Sequence, residues 1–238
     1  MMAIILAGGV GTRLKPFTVT IPKPLLPLGD MPILDIVIRQ LASYGVNRIV
    51  LSLGHMAPFF MPFLAQWEQQ GVTIETCFEN DPLGTAGPIG LVKDLEDNFI
   101  VMNGDVLTTL DFSALVEAHR TAQSWGTIAV SKREMKVDFG VVTTTESNVL
   151  KEYREKPLLT YDVSMGINVL SKNCLEFISR GKKIDMPDLM ITMKKAGKLV
   201  HCFRSSCYWL DMGRFDDYEQ ASRDFVETPE RFLLPKRG

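Results

Sequence analysis

The sequence predicts an α/β protein in which a mostly parallel, mixed sheet carries helices on both faces. Three observations near the N-terminus lead to that expectation. Residues Met2–Ala7 form a short apolar run followed at once by glycine, the pattern of a buried strand. Apolar Ile33, Ile36, Val37 and Leu41 recur with helical spacing across Ile33–Tyr44, and Gly45 stops them. The stretch RIVLSL (Arg48–Leu53) then resumes the strand pattern, completing a βαβ step and so a parallel pair.

The remaining elements follow the same rules. Strands are expected at Val72–Phe78, Phe99–Met102, Thr127–Val130, Gly140–Thr144 and Val163–Leu170, where short apolar or alternating runs are bounded by turn residues. Helices are expected near Thr85–Leu95, Phe112–Thr121, Cys174–Ser179, Pro187–Lys195 and Phe215–Phe225. Asp111, directly before FSALVEAH, reads as a helix cap. The first half alternates regularly and the second is strand-rich, so the later strands should extend the sheet and build a lid over its carboxyl ends, where such sheets bind ligands.

Composition narrows the possibilities. With 238 residues, 46% of them hydrophobic, the chain can fill one substantial core, and a single domain over 1–238 is expected. Twenty-six Lys and Arg against 28 Asp and Glu leave a net charge of -2, without a basic run that would track a nucleic-acid backbone. An anionic ligand must then be met by locally placed cations. The opening apolar stretch lacks a basic leader, and no window approaches the ~18 apolar residues of a membrane span, so a soluble, cytoplasmic protein is expected. Cys77, Cys174, Cys202 and Cys207 show no C-x-x-C pairing and read as reduced thiols. The apolar segment Met56–Phe63 reads as a core helix or a subunit contact, compatible with a homodimer, and His55 before it as an ordinary loop residue.

The stretch AIILAGGVGTRLKPFTVTIPKPLLPLGD (Ala3–Asp30) places a glycine-rich loop behind the first strand, an arrangement that shapes backbone around phosphates. Walker A spacing, G-x-x-x-x-G-K-[ST], is absent in every register. A G-x-G-x-x-G fingerprint started at Gly9 and Gly11 meets Leu14 at its third glycine, and Pro16, Pro22 and Pro24 bar the helix that should follow. What remains is L-A-G-G-x-G-T-R-L-x-P-x-T followed by P-K-P, which resembles the signature of the sugar-1-phosphate nucleotidyltransferases. The resemblance continues in order through PLGTAGP (Pro82–Pro88), NGD (Asn103–Asp105), REKP (Arg154–Pro157), MGINVL (Met165–Leu170) and WLDMG (Trp209–Gly213), covering residue 2 to roughly 226. Its wording is closest to enzymes that make GDP-mannose or GDP-heptose, and UTP-using relatives share much of it.

The resemblance implies a three-layer Rossmann-like nucleotidyltransferase fold with a nucleotide-binding half over about 1–125, a sugar-phosphate-binding half over about 126–226 and a tail over 227–238. No hexapeptide repeat is present, so an attached acetyltransferase activity is not expected. The implied reaction joins a nucleoside triphosphate to a sugar 1-phosphate and releases pyrophosphate, with Mg²⁺ as cofactor. The attacking phosphate is already an anion near neutral pH and needs no general base. The barrier lies in anion repulsion, geometry and the charge growing on the leaving group.

Those needs map onto particular residues. Gly8, Gly9 and Gly11 let backbone N–H groups approach phosphate oxygens closely. By resemblance, Arg13 neutralises the departing pyrophosphate and Lys23 serves the triphosphate, and nucleotide contacts extend along Leu6, Ala7 and Thr12, then Pro82, Gly84 and Thr85, and Gly104. Asp105, just past a strand end, suits a hard oxygen ligand for Mg²⁺, and the resemblance pairs it with Asp211 on the same metal. For the sugar phosphate, Lys156 offers a cation, Glu155 and Asn168 offer hydroxyl partners, Gly140 and Gly166 admit a ring against backbone, and Trp209 stands at the wall.

Glu79 precedes the PLGT loop, where the family reads the base. A carboxylate only accepts hydrogen bonds, and guanine alone presents two adjacent donors, so GTP is favoured with a mannose or heptose phosphate as acceptor. Uridylyl, thymidylyl and cytidylyl transfer remain open, as do two other classes: a glycosyltransferase consuming a nucleotide sugar and a non-catalytic nucleotide-sugar sensor.

Overall fold

The computed structural model describes residues 1–9, 11–14, 16–54, 56–68 and 71–233; His55 lies outside the described residues, as does the tail past 233. Seven strands form the central sheet: β1 (Met2–Leu6), β2 (Arg48–Leu53), β3 (Thr73–Phe78), β4 (Asn98–Asn103), β5 (Gly126–Lys136), β6 (Leu158–Ser171) and β7 (Val200–Arg204). Their spatial order is β7-β5-β6-β4-β1-β2-β3. All neighbours are parallel except β6, which runs antiparallel to both β4 and β5. The sheet is therefore mixed and mostly parallel, as the sequence pattern predicts.

Among the described residues five α-helices complete the layers: α1 (Ile33–Ser43), α2 (Met61–Glu68), α3 (Phe112–Thr121), α4 (Met186–Lys195) and α5 (Phe215–Glu227). β1 is apolar on both faces because both are covered. Ala3 and Ile5 join the core under α1, α3 and α5, while Met2 and Ile4 point to the opposite face and pack with Leu189, Met190 and Met193 of α4. Asp111 caps α3 by accepting from the Ala114 N–H at 3.0 Å. In the apolar segment after His55, Phe60 and Trp67 are fully buried while Phe59 and Met61 face outward. No helix among the described residues is long and apolar enough to cross a membrane.

Three expectations are corrected by the structure. The helix expected over Thr85–Leu95 is only a 3₁₀ turn, Gly87–Leu91, because Gly87, Pro88 and Gly90 disfavour an α-helix and the segment bonds instead to Ile184. The stretch near Cys174–Ser179 is likewise a 3₁₀ turn, Lys172–Phe177. The strands expected at Thr127–Val130 and Val163–Leu170 are the inner ends of β5 and β6, which pair on outward as far as Lys136 and Leu158 as an exposed ribbon. Beyond it, Val141–Thr144 and Leu150–Arg154 form a further antiparallel hairpin.

Behind the sheet, His119 of α3 is 1% exposed, with Nδ1 2.9 Å from both Thr127 Oγ1 and Ser124 Oγ, and Nε2 3.0 Å from Asn98 Oδ1. Burial, seconded by Arg120 and His201, pushes its pKa down from 6.5 to about 4. The unfolded chain therefore takes up this proton first, and stability should decline as pH falls from 6.5 towards about 4, then level off. Denaturant midpoints at pH 7 and 4.5 should consequently fall further for wild type than for His119→Gln. Equal falls would show that His119 does not drive the loss.

Candidate active site

The carboxyl ends of β1, β2, β3 and β4 open into a cleft of about 900 Å³. This is where a parallel sheet leaves room for ligands, because the chain departs from neighbouring strands in loops. The glycine loop after β1 supplies Leu6, Ala7, Gly8, Gly9, Gly11 and Arg13 to the lining. Lys23, Glu79, Pro82, Gly84, Thr85 and Asp105 also line it. Gly8 permits a close crossing: a Cβ there would lie 3.1 Å from Gly54 N and 3.1 Å from Glu79 Oε1.

One charged cluster sits at the edge of this cleft. Lys23 is 7% exposed, and its ammonium is ion-paired directly with Asp105 Oδ2 and lies 3.8 Å from Asp211 Oδ1. A lysine so buried requires a counter-charge, and two carboxylates so close require a cation between them. Burial first, and Asp105 second, raise the Asp211 pKa, while Lys23 and Arg13 pull it down. Arg13 completes the cluster by seating its guanidinium on Gly213, where a Cβ would meet Nη2 at 3.1 Å. Asp211 itself arrives on Trp209–Asp211, a short strand paired with Val106–Thr108 just after Asp105.

Glu79 is in the cleft but is not free. Its Oε1 accepts from Ser52 Oγ at 2.7 Å, and its Oε2 accepts from the Leu83 N–H at 2.9 Å. The carboxylate thus closes the loop that carries Pro82 and Gly84. That loop is fastened at its far end by Asp185, a residue that sequence reasoning did not single out. Asp185 Oδ1 accepts from the Thr85 N–H at 3.0 Å, and Thr85 Oγ1 accepts from the Met186 N–H at 2.7 Å. Gly84 has φ +77, and a Cβ there would lie 2.6 Å from Asp185 Oδ1, so glycine is needed for both shape and space. Nothing within the loop's own sequence signals a partner 100 residues away.

The residues expected to hold the sugar phosphate are not gathered in the cleft lining. Gly140 packs under the Tyr153 ring, and Tyr153 donates to Glu155 Oε2 at 3.1 Å. Lys156 follows in the turn with φ 42; both it and Glu155 are exposed on the ribbon. Gly166 lies in the bulge of β6 against Asn103, which does line the cleft. Asn168 is 5% exposed within β6. Trp209 donates through Nε1 to the Met165 carbonyl at 2.9 Å, bracing that bulge. Gly104 donates its N–H to the Leu6 carbonyl at 3.0 Å, and Thr12 opens a 3₁₀ turn, Thr12–Leu14. Phe78, Asn80, Asn103, Gly54 and Gly213 also line the cleft without having been given a role, although Asn103 and Gly213 belong to the NGD and WLDMG motifs.

For a divalent ion the donor set fits. Among the described residues no cluster of three or more carboxylate, histidine or cysteine side chains forms a complete cage. Mg²⁺, however, is usually held by one or two carboxylates together with substrate phosphates and water. Asp105 and Asp211 already embrace one cation, the Lys23 ammonium.

Comparison with known proteins agrees with the fold. A mannose-1-phosphate guanyltransferase of Schizosaccharomyces pombe is 34% identical over 92% of this chain. A UTP–glucose-1-phosphate uridylyltransferase of Synechocystis is 29% identical over 94% of it. The chain spans 62% and 63% of the lengths of those two relatives. The crystal structure of HddC from Yersinia pseudotuberculosis, 29% identical, superposes with a TM-score of 0.73, covering 94% of this chain and 99% of that one. Residues 2–228 match the Nucleotidyl transferase family, and the chain belongs to it.

Proposed function

We propose that the protein transfers a nucleotidyl group from a nucleoside triphosphate to a sugar 1-phosphate and releases pyrophosphate, with GTP as donor and a mannose or heptose phosphate as acceptor. The observation that carries this reading is the cation and carboxylate cluster of Arg13, Lys23, Asp105 and Asp211 at a glycine-lined cleft. A sugar phosphate attacking a triphosphate brings two anions together, so the site must supply positive charge without supplying a base. Arg13, exposed and seated on Gly213, presents a fork of donors to the leaving pyrophosphate. Lys23 holds the two aspartates in place before substrate enters and offers its charge to the triphosphate. When bound by Asp105 and Asp211, Mg²⁺ supplies charge neutralisation at the phosphates. Glycine-loop N–H groups orient the phosphates, and Lys156 with Glu155 on the ribbon receive the sugar phosphate.

Guanine is supported by the chemistry of Glu79 and by the relatives. A carboxylate has about four acceptor positions, and Ser52 and Leu83 take one on each oxygen, leaving one per oxygen for the adjacent donors of guanine. The Schizosaccharomyces relative is named as a guanyltransferase, and HddC has a structure complexed with GMP-PN. A uridylyl reading is favoured by the Synechocystis relative and is the alternative.

Pyrophosphate release should be measured with the four ribonucleotides and dTTP against a panel of sugar 1-phosphates. GTP should give the highest kcat/KM, and Glu79→Gln should raise its KM roughly tenfold while narrowing the gap to UTP, since one lost charged hydrogen bond is worth about 1.5–3 kcal/mol. Ser52→Ala, which removes only the anchoring hydroxyl, should leave nucleotide preference unchanged. A wild type that prefers UTP, or a Ser52→Ala variant that matches Glu79→Gln, would end the guanine reading.

A further inference from the structure

Two half-exposed aromatic rings outside the cleft join the two chain segments that meet at it. Phe17 and Phe215 stack with centroids 5.9 Å apart and planes at 9°, although they are 48% and 44% exposed. Phe17 lies in the turn Phe17–Val19, between Arg13 and Lys23. Phe215 opens α5, just beyond Asp211 and Gly213.

From these observations we propose that the Phe17–Phe215 stack is a latch that holds the glycine loop closed on the Asp211 segment, making both phenylalanines positioning residues for Arg13. The inference rests on the nucleotidyl-transfer reading above.

The connection from Phe17 to the loop runs through direct contacts. Its neighbour Thr18 is 5% exposed and donates through Oγ1 to the Gly11 carbonyl at 2.7 Å. Gly11 has φ +63, and a Cβ there would lie 3.0 Å from Thr18 Cγ2, so the two turns pack closely against each other. The Leu14 N–H donates to the same Gly11 carbonyl at 3.1 Å, which fixes the turn that contains Arg13. On the opposite side, Gly213 receives the Arg13 guanidinium, and Tyr218 of α5 donates to the Pro27 carbonyl at 2.5 Å. The loop is thus tied to α5 on both sides of Lys23: through Phe17 before it and through Pro27 after it.

A stack that remains half in water contributes only part of its area to burial, so its larger effect should be on alignment. Small displacements of a group that acts on a developing charge reduce rate steeply.

The test is a double-mutant cycle measured with GTP and mannose 1-phosphate, together with hydrogen exchange of the ligand-free protein. Phe17→Ala and Phe215→Ala should each lower kcat about tenfold with little change in KM for the sugar phosphate, and the double variant should be no worse than either single. Phe17→Tyr, which keeps the ring, should restore wild-type kcat. Exchange at the Leu14 and Val19 amides should accelerate in Phe17→Ala. Unchanged exchange, additive losses, unchanged kcat, or a loss accounted for by a lower folded fraction would overturn the latch. If wild type turns over no substrate pair, the nucleotidyl-transfer reading fails, and the exchange result alone decides whether the latch stands.

Discussion

Asp105→Asn and Asp211→Asn should each lower kcat by on the order of 10²–10³ while leaving the protein folded. Each change removes one of the two negative charges that meet at Lys23, and with it half of the donor set proposed for Mg²⁺. Asparagine is the informative replacement because it keeps an acceptor oxygen near the buried ammonium. Asp105→Ala would leave Lys23, 7% exposed, without its closest partner, and breaking a buried ion pair from one side costs about 3–5 kcal/mol. Alanine should therefore lower the melting temperature as well as the rate, and only the asparagine variants separate the two effects. Pyrophosphate release titrated with Mg²⁺ should saturate at higher concentration in both asparagine variants, and a chelator should abolish wild-type turnover. Retention of most of kcat by either variant, or turnover indifferent to chelation, would remove the metal from the reaction.

Arg13→Ala should reduce kcat by on the order of 10²-fold and leave KM for the sugar phosphate within about threefold of wild type. A charge aimed at the leaving group gains most as that group becomes more negative, so its loss falls on the transition state and hardly on ground-state binding of the acceptor. Lys156→Ala should show the reverse pattern, with KM for the sugar phosphate raised and kcat less affected. Arg13 is exposed and its guanidinium lies against Gly213, so its removal leaves no buried group without a partner. Steady-state kinetics with acceptor varied at saturating nucleotide will distinguish the patterns. If the two variants lose the same parameter in the same proportion, the proposed division of labour is wrong.

The elements legible from sequence are those whose signals are local. β1, α1 and β2 follow from apolar periodicity and a stopping glycine, and α3 from its Asp111 cap, because those patterns are complete within a few residues. The glycine loop was legible for the same reason. The helix expected over Thr85–Leu95 failed because its backbone finds partners at Ile184 and Asp185, which no local pattern can show. The full lengths of β5 and β6 were missed in the same way: their outer halves are exposed on both faces and are held by pairing to each other, so hydrophobic alternation does not mark them.

By itself the sequence determined the α/β class, the order of its early elements, and many of the residue types that line the cleft, since periodicity, glycines and charged side chains can all be read one segment at a time. Only the tertiary structure decided which charges meet. Lys23 and Asp105 are 82 residues apart, and they are joined because β1 and β4 are parallel neighbours whose carboxyl ends open on the same side. Asp211 reaches them through the short strand paired beside Asp105. The tertiary arrangement also brought Ser52 to the carboxylate of Glu79 in the cleft, and placed Phe17 on Phe215. Such pairings depend on sheet order and on the loops that leave it, quantities that become defined only when distant strands hydrogen-bond.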